Sequence, residues 1–197
     1  GLGGMPGGGM PGMMPMAGAA PGGPAMGPGG APGGMPGPEG GPGAFPGGAV
    51  DRGDHGSVTW HGPDPRWWAS AVGEPPDAAR ALVLAAVREL FEETGVLLAG
   101  PAPQGPVAVL PDDVREAVVQ HRATLAEVLA EAGLGVRSDL LRPWANWLTP
   151  PGQGRRYDTF FFAAALPEGQ QARMVTTEAD LGQWRRPDDL FAERAAG

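Results

Sequence analysis

The chain has 197 residues, a formal charge of −8 and no cysteine. The acidic balance argues against non-specific nucleic-acid binding, and the lack of cysteine removes disulfides and thiolate chemistry. No uninterrupted apolar run is long enough to span a bilayer, and no basic region followed by an apolar one opens the chain, so a cytoplasmic protein is expected.

Residues 1–50 hold 21 of the 35 glycines, 11 of the 24 prolines and 7 of the 8 methionines, with Glu39 as the one charged residue. Such a stretch buries too little surface to offset the entropy of ordering it, so residues 1–43 are expected to be disordered. Loose Gly-Gly-Met-Pro repeats resemble the Gly-Met-rich tails of some chaperones; a plain flexible linker or a fusion scar suits them equally. Residues 44–197 suit one domain.

Ordered sequence starts at Phe45-Pro46-Gly47-Gly48, whose glycines permit a tight turn. The following stretch carries Trp60, Trp67 and Trp68, with Pro-Asp-Pro at 63–65. His55 and His61 there read as loop residues. A helix is predicted from Ala78 to Thr94, with Asp77 as N-cap and Gly95 at the position where a left-handed residue ends a helix.

Within that helix, Glu89, Glu92 and Glu93 fall at spacings i, i+3 and i+4 and share one face. Val83, Val87, Leu90 and Phe91 fall on roughly the opposite face, so the helix reads as amphipathic. Clustered carboxylate oxygens suit hard cations such as Mg²⁺ or Mn²⁺. Three glutamates alone would more often be a solvated face, and Arg88 with Glu92 makes an ordinary i,i+4 pair.

A second helix is predicted over 112–132, stopped by Gly133, with His121 on its surface. Residues 144–150 and 155–162 are rich in strand formers and are joined by Pro-Gly-Gln-Gly, which predicts a hairpin with Phe160 to Phe162 in the core. Arg155 and Arg156 are candidate bidentate donors to a phosphate, or residues of a solvated turn. Further strands are expected at 173–177 and 181–184, and a last helix over 187–195 with Pro187 at N1.

The complete string Arg88-Glu89-Leu90-Phe91-Glu92-Glu93-Thr94-Gly95-Val96 resembles the core of the Nudix box. Phe45 to Gly48 resembles the element that opens such a box, although forty residues separate Gly48 from Arg88 and imply an insertion. Trp147-Leu148-Thr149-Pro150, then Arg155 to Thr159, Phe160-Phe161, and later Glu178, Trp184 and Pro187, are similar to the acyl-coenzyme-A diphosphatase-like subgroup. The resemblance covers residues 44–197. It implies an α/β fold with a mixed sheet sandwiched between helices. It also implies Mg²⁺- or Mn²⁺-dependent hydrolysis of a nucleoside diphosphate linked to another group, with coenzyme A or an acyl-CoA as the substrate class.

By match to that motif, Glu89, Glu92 and Glu93 would bind the metal, and one of the three would orient or deprotonate the attacking water. Arg88 would hold the glutamates in place, and Gly48 would be the loop glycine. Glu74, Glu168 and Glu178 are further candidates for the general base. Two departures stand out. Arg80 occupies the place of the box glutamate eight residues before the arginine, and the Gly-Pro-Met stretch occupies the space of the one or two apolar strands that ordinarily precede Phe-Pro-Gly-Gly. A domain lacking those strands would expose a sheet edge, be less stable and favour homo-oligomers. The departures keep a second function open, a catalytically weak or inert module binding a nucleotide-like ligand or a protein partner. A third makes the Gly-Pro-Met tail an interaction segment.

Overall fold

The computed structural model describes residues 45–152 and 156–173, single positions at 186, 188, 191 and 192, and the backbone of three strands at 13–19, 35–36 and 42–43. The strands are β1 (Met13–Ala19), β2 (Met35–Pro36), β3 (Pro42–Gly43), β4 (Gly47–Ala49), β5 (Thr59–His61), β6 (Ala99–Gly100), β7 (Gly135–Arg137), β8 (Leu141–Leu148) and β9 (Asp158–Ala165). The α-helices are α1 (Pro65–Val72), α2 (Pro76–Thr94), α3 (Asp112–Val119) and α4 (Leu125–Glu131). One sheet has the order β4-β1-β9-β8, a second has β5-β7-β6, and β2 pairs with β3. The first sheet is mixed, since β1 runs parallel to β4 and antiparallel to β9. Among the described residues no helix is long and apolar enough to cross a membrane.

The expectation that nothing ahead of Phe45 supplies a strand is corrected. Met13–Ala19 lies between β4 and β9, with Ala17 opposite both Gly47 and Phe161. Pairing with β4 covers only residues 17–19, so on that side Pro15 stands at an edge, where a proline is tolerated. The inner positions of the sheet therefore have backbone partners that composition had argued against. Strand pairing satisfies main-chain groups whatever the side chains are.

The region between Gly48 and Arg88 is structured. Asp64 caps α1 by accepting from the N–H groups of Arg66 and Trp67 at 2.8 and 2.9 Å, with Pro65 inside the first turn. That turns Trp68 inward, where it is fully buried and meets Phe162 with ring centroids 5.9 Å apart. His61 ends strand β5 instead of lying in a loop.

Helix α2 begins at Pro76, two residues earlier than predicted, with Pro75 at its N-cap and Asp77 in the first turn. It is also not open on one side. Every residue from 81 to 91 is buried. The core around it draws on α1, α3, α4, both larger sheets and the segment Val96 to Leu98. Leu82, Leu84, Leu90 and Phe91 are each buried almost completely, and burial of such side chains stabilises by about 2 kcal/mol each. Only its two ends approach solvent, Pro76 to Ala78 with Arg80 at the start and Glu92 with Glu93 at the finish. Gly95 ends the helix at φ 73° and returns its N–H to the Phe91 carbonyl at 2.9 Å.

The predicted helix over 112–132 is two helices. His121 adopts φ 53°, in the left-handed region, and breaks the run. The second piece then starts on a capping box, in which Thr124 accepts from the Glu127 N–H and Glu127 accepts from the Thr124 N–H. The predicted hairpin is β8 and β9, antiparallel, with a bulge between Pro143 and Ala145. Phe160 and Phe162 enter the core; Phe161 faces the other side of the sheet. The expected strand at 173–177 beyond Arg173, the one at 181–184, and most of the expected last helix lie outside the described residues.

Candidate active site

Three elements meet at the C-terminal half of α2: the helix itself, strand β4, and the short 3₁₀ turn Gly53–His55. Arg88 lies at their junction and is buried. Its Nε and Nη2 donate to Asp54 Oδ1 and Oδ2 at 3.0 and 3.1 Å, a bidentate pair. Nη2 also donates to the Ala49 carbonyl at 2.9 Å. Nη1 lies 2.8 Å from Glu89 Oε1 and donates to both oxygens of Glu92 at 3.3 Å. One planar guanidinium thus joins the glycine strand, the turn and two of the three glutamates.

The turn is built to present Asp54. Asp51 Oδ1 accepts from the N–H groups of Gly53 and Asp54, and the Asp51 N–H donates to Asp54 Oδ2 at 2.9 Å. Arg80, the residue standing where a glutamate was expected, donates to the carbonyls of His55 and Gly56 at 2.7 and 2.6 Å. It fixes the end of the same turn. The chain has no acid eight residues ahead of Arg88, but in space Asp54 brings a carboxylate to that arginine. Sequence reasoning missed this residue because it counted back from Arg88. Counting six residues forward from Gly48 reaches it.

Glu93 accepts from the Gly47 N–H at 3.1 Å, which ties β4 to the last turn of α2. Gly48 lies so close to Glu89 that an added Cβ would overlap its carboxylate. Gly48→Ala therefore displaces the Glu89 carboxylate from Arg88. We expect a tenfold to hundredfold loss of any diphosphate cleavage, since displacements near 1 Å cost on that order. The melting temperature should fall by only a few degrees. Equal activity in a kinetic assay of this variant would show that the close approach has no role.

Burial pushes Glu89 up to about 7 from its ordinary 4.5; Arg88 opposes the push, and the charges of Glu92 and Glu93 add to it. Burial also raises Glu92 and Asp54, against the pull of Arg88 in both cases. Burial disfavours the Arg88 charge, but Asp54, Glu89 and Glu92 outweigh it and hold the guanidinium above its ordinary value. The metal-free fold therefore binds a proton at Glu89 more tightly than the unfolded chain does. Stability from this group is fully present below about pH 4.5 and is lost as pH rises toward 7, by up to about 3 kcal/mol. Urea melts of wild type and Glu89→Gln at pH 5 and pH 8 test this. The variant should show the smaller fall, and equal falls would refute the assignment.

Among the described residues no three carboxylates or imidazoles form a ready-made ligand cage. Glu89 and Glu92 are drawn onto Arg88 instead. The donor chemistry still fits a hard divalent cation. All the donors are carboxylate oxygens, Asp54, Glu89 and Glu92 outnumber the single guanidinium between them, and the raised Glu89 would be relieved by added positive charge. A cavity of about 130 Å³ opens beside Arg88, lined by Asp51, Gly53, His121 and Thr124 among others. Arg115 donates to the Glu92 carbonyl at 2.8 Å and holds the end of α2.

Arg156 of the hairpin is not gathered into this cluster. Arg156 is exposed, and its Nε donates to the Thr149 carbonyl at 3.1 Å, closing the β8–β9 connection. Arg155 and Glu178 lie outside the described residues. Glu168 is exposed in the turn after β9, and Glu74 follows α1.

Known proteins resemble this chain in sequence and in fold. The chain is 34% identical over 114 residues to the acyl-coenzyme A diphosphatase NUDT19 of Gallus gallus, covering 48% of this chain and 30% of that protein. It is 34% identical over 122 residues to the acyl-coenzyme A diphosphatase NUDT19 of Homo sapiens, covering 55% and 32%. The matched region thus spans about a third of the length of these relatives. The crystal structure of a Nudix hydrolase from Alicyclobacillus acidocaldarius superposes with a TM-score of 0.58 at 27% identity, over 78% of this chain and 68% of that one. The family model described as NUDT19 Nudix domain matches residues 68–195. That is well over half of the sequence, and it includes the Arg88–Val96 string, so this chain belongs to the NUDT19 Nudix domain family.

Proposed function

We propose that this chain hydrolyses the diphosphate bond of a nucleoside diphosphate linked to another group, with Mg²⁺ or Mn²⁺, and that coenzyme A or an acyl-CoA is the substrate. One observation carries the reading. Arg88 is tied to Asp54 and Ala49 while it holds Glu89 and Glu92, so carboxylates are fixed beside Gly47 and Gly48 at one end of a buried helix. The similarity to two acyl-coenzyme A diphosphatases supports the substrate class.

Glu89, Glu92 and Glu93 are the residues that would hold the cation. When bound, a divalent ion neutralises phosphate charge and lowers the pKa of a bound water. The chain's own residues divide the remaining work. Arg88 fixes the rotamers of Glu89 and Glu92, which limits the reorganisation needed during reaction. The lack of a side chain at Gly48 lets the Glu89 carboxylate lie against the backbone of β4. One of the three glutamates would also orient or deprotonate the attacking water. Hydrolysis adds one water across the P–O–P bridge and releases two phosphate monoesters.

The test is incubation of the purified chain with coenzyme A, ADP-ribose and a nucleotide sugar, each with Mg²⁺ or Mn²⁺, with products followed by mass. Metal-dependent cleavage of coenzyme A at its diphosphate is expected. No cleavage of any of the three by a folded chain would overturn the reading.

A further inference from the structure

Strand β9 alternates. Phe160 and Phe162 are buried in the core, and Phe161 faces the opposite side of the sheet. Trp147 of β8 pairs with Thr159 and therefore shares the face of Phe161. Phe161 meets Trp147 with ring centroids 6.1 Å apart at 71°, and meets Phe45 at 6.4 Å and 88°. Phe45 is 47% exposed and Trp147 61%. Edge-to-face contacts of this kind leave ring faces uncovered. Three joined aromatics on one sheet face, with Phe45 and Trp147 exposed and Phe161 half-buried between them, are a feature that usually marks a binding surface.

The position of this run says what would cover it. Phe45 lies two residues before Gly47, about 7 Å of extended chain. The Gly47 N–H is held by Glu93, and Gly48 abuts Glu89. The aromatic run therefore starts one short step from the carboxylate cluster and leads away from it across the sheet. In a nucleoside diphosphate the planar base is separated from the diphosphate by one sugar. A planar base gains from stacking on a single open ring face, whereas an alkyl chain gains most in an enclosing apolar pocket.

We propose that Trp147, with Phe161 and Phe45, is the platform on which the purine base of the substrate stacks. This rests on the diphosphatase reading and adds a specificity determinant to it. Trp147 would be a binding residue that acts on substrate affinity and leaves the carboxylate cluster untouched.

The test uses the full chain, Trp147→Ala and Trp147→Phe. ADP binding is measured by calorimetry with Mg²⁺, and cleavage is measured with coenzyme A and palmitoyl-CoA. Trp147 is exposed, so both variants should melt as wild type does. Trp147→Ala should weaken ADP binding about tenfold and raise KM for both substrates about tenfold, with kcat within about twofold. Trp147→Phe should restore most of the loss, and ADP should quench tryptophan fluorescence in wild type more than in Trp147→Ala. Unchanged ADP affinity in Trp147→Ala, from a chain that still cleaves coenzyme A, would overturn the platform and leave the diphosphatase reading standing. A KM effect confined to palmitoyl-CoA would also overturn it, since the surface would then hold the acyl chain. Trp147-dependent ADP binding without cleavage would support the platform while the diphosphatase reading fails.

Discussion

Glu92→Gln should lower metal-dependent cleavage of coenzyme A by about 10³-fold while moving the melting temperature by no more than a few degrees. The amide keeps the shape of the side chain and still offers an oxygen to Arg88 Nη1, which lies 3.3 Å from both Glu92 oxygens. What it loses is the negative charge. Stability should barely respond, because Arg88 keeps Asp54 and Glu89, and an i,i+4 pair of this kind contributes only a few tenths of a kcal/mol. Initial rates at saturating Mg²⁺ and a parallel thermal melt decide it. Cleavage within threefold of wild type would remove Glu92 from the site.

Arg88→Ala should be the most destabilising single change at this site, by about 3–5 kcal/mol. Asp54 is only 1% exposed, and the guanidinium is its bidentate partner. Removing Arg88 leaves that carboxylate buried and uncompensated. It also releases the Ala49 carbonyl and brings Glu89 and Glu92 together without the cation between them. The same logic predicts a partial rescue. Arg88→Ala combined with Asp54→Asn should be more stable than Arg88→Ala alone, because the stranded charge is gone. Asp54→Asn by itself should cost less than Arg88→Ala, since Arg88 retains two glutamates. Arg88→Lys should recover only part of the loss, because an ammonium cannot reproduce the fork that meets Asp54. Urea denaturation of the four proteins gives the coupling energy. Additive effects would mean that the pair does not act as a unit.

These expectations depend on different kinds of information. Glu89, Glu92, the Arg88–Glu92 reach and the Gly95 stop are relations within two turns of one helix. Helix geometry fixes them, so they were readable from spacing alone. The β8–β9 hairpin was readable for a similar reason, since two runs of strand formers flank a short Pro-Gly connection. The Nudix resemblance was also legible in the chain, because the Arg88–Val96 string fits every specified position of the box core.

Only the tertiary structure decided the rest. Asp54 reaches Arg88 across 34 residues, and Gly47 reaches Glu93 across 46. No local periodicity encodes such pairs, because β5 and α1 lie between the residues that meet. The same holds for α2. Its apolar and acidic faces suggested a helix half open to water, but the core closes around it from both larger sheets and three other helices. The break at His121 depends on one residue taking a left-handed backbone, which its side chain does not require. The placement of Met13–Ala19 beside β9 runs against its composition, because backbone pairing answers to the free edge offered by a neighbouring strand and not to side-chain character. The sequence by itself determined which carboxylates share one face of α2; packing decided which distant acid, strand and loop meet them.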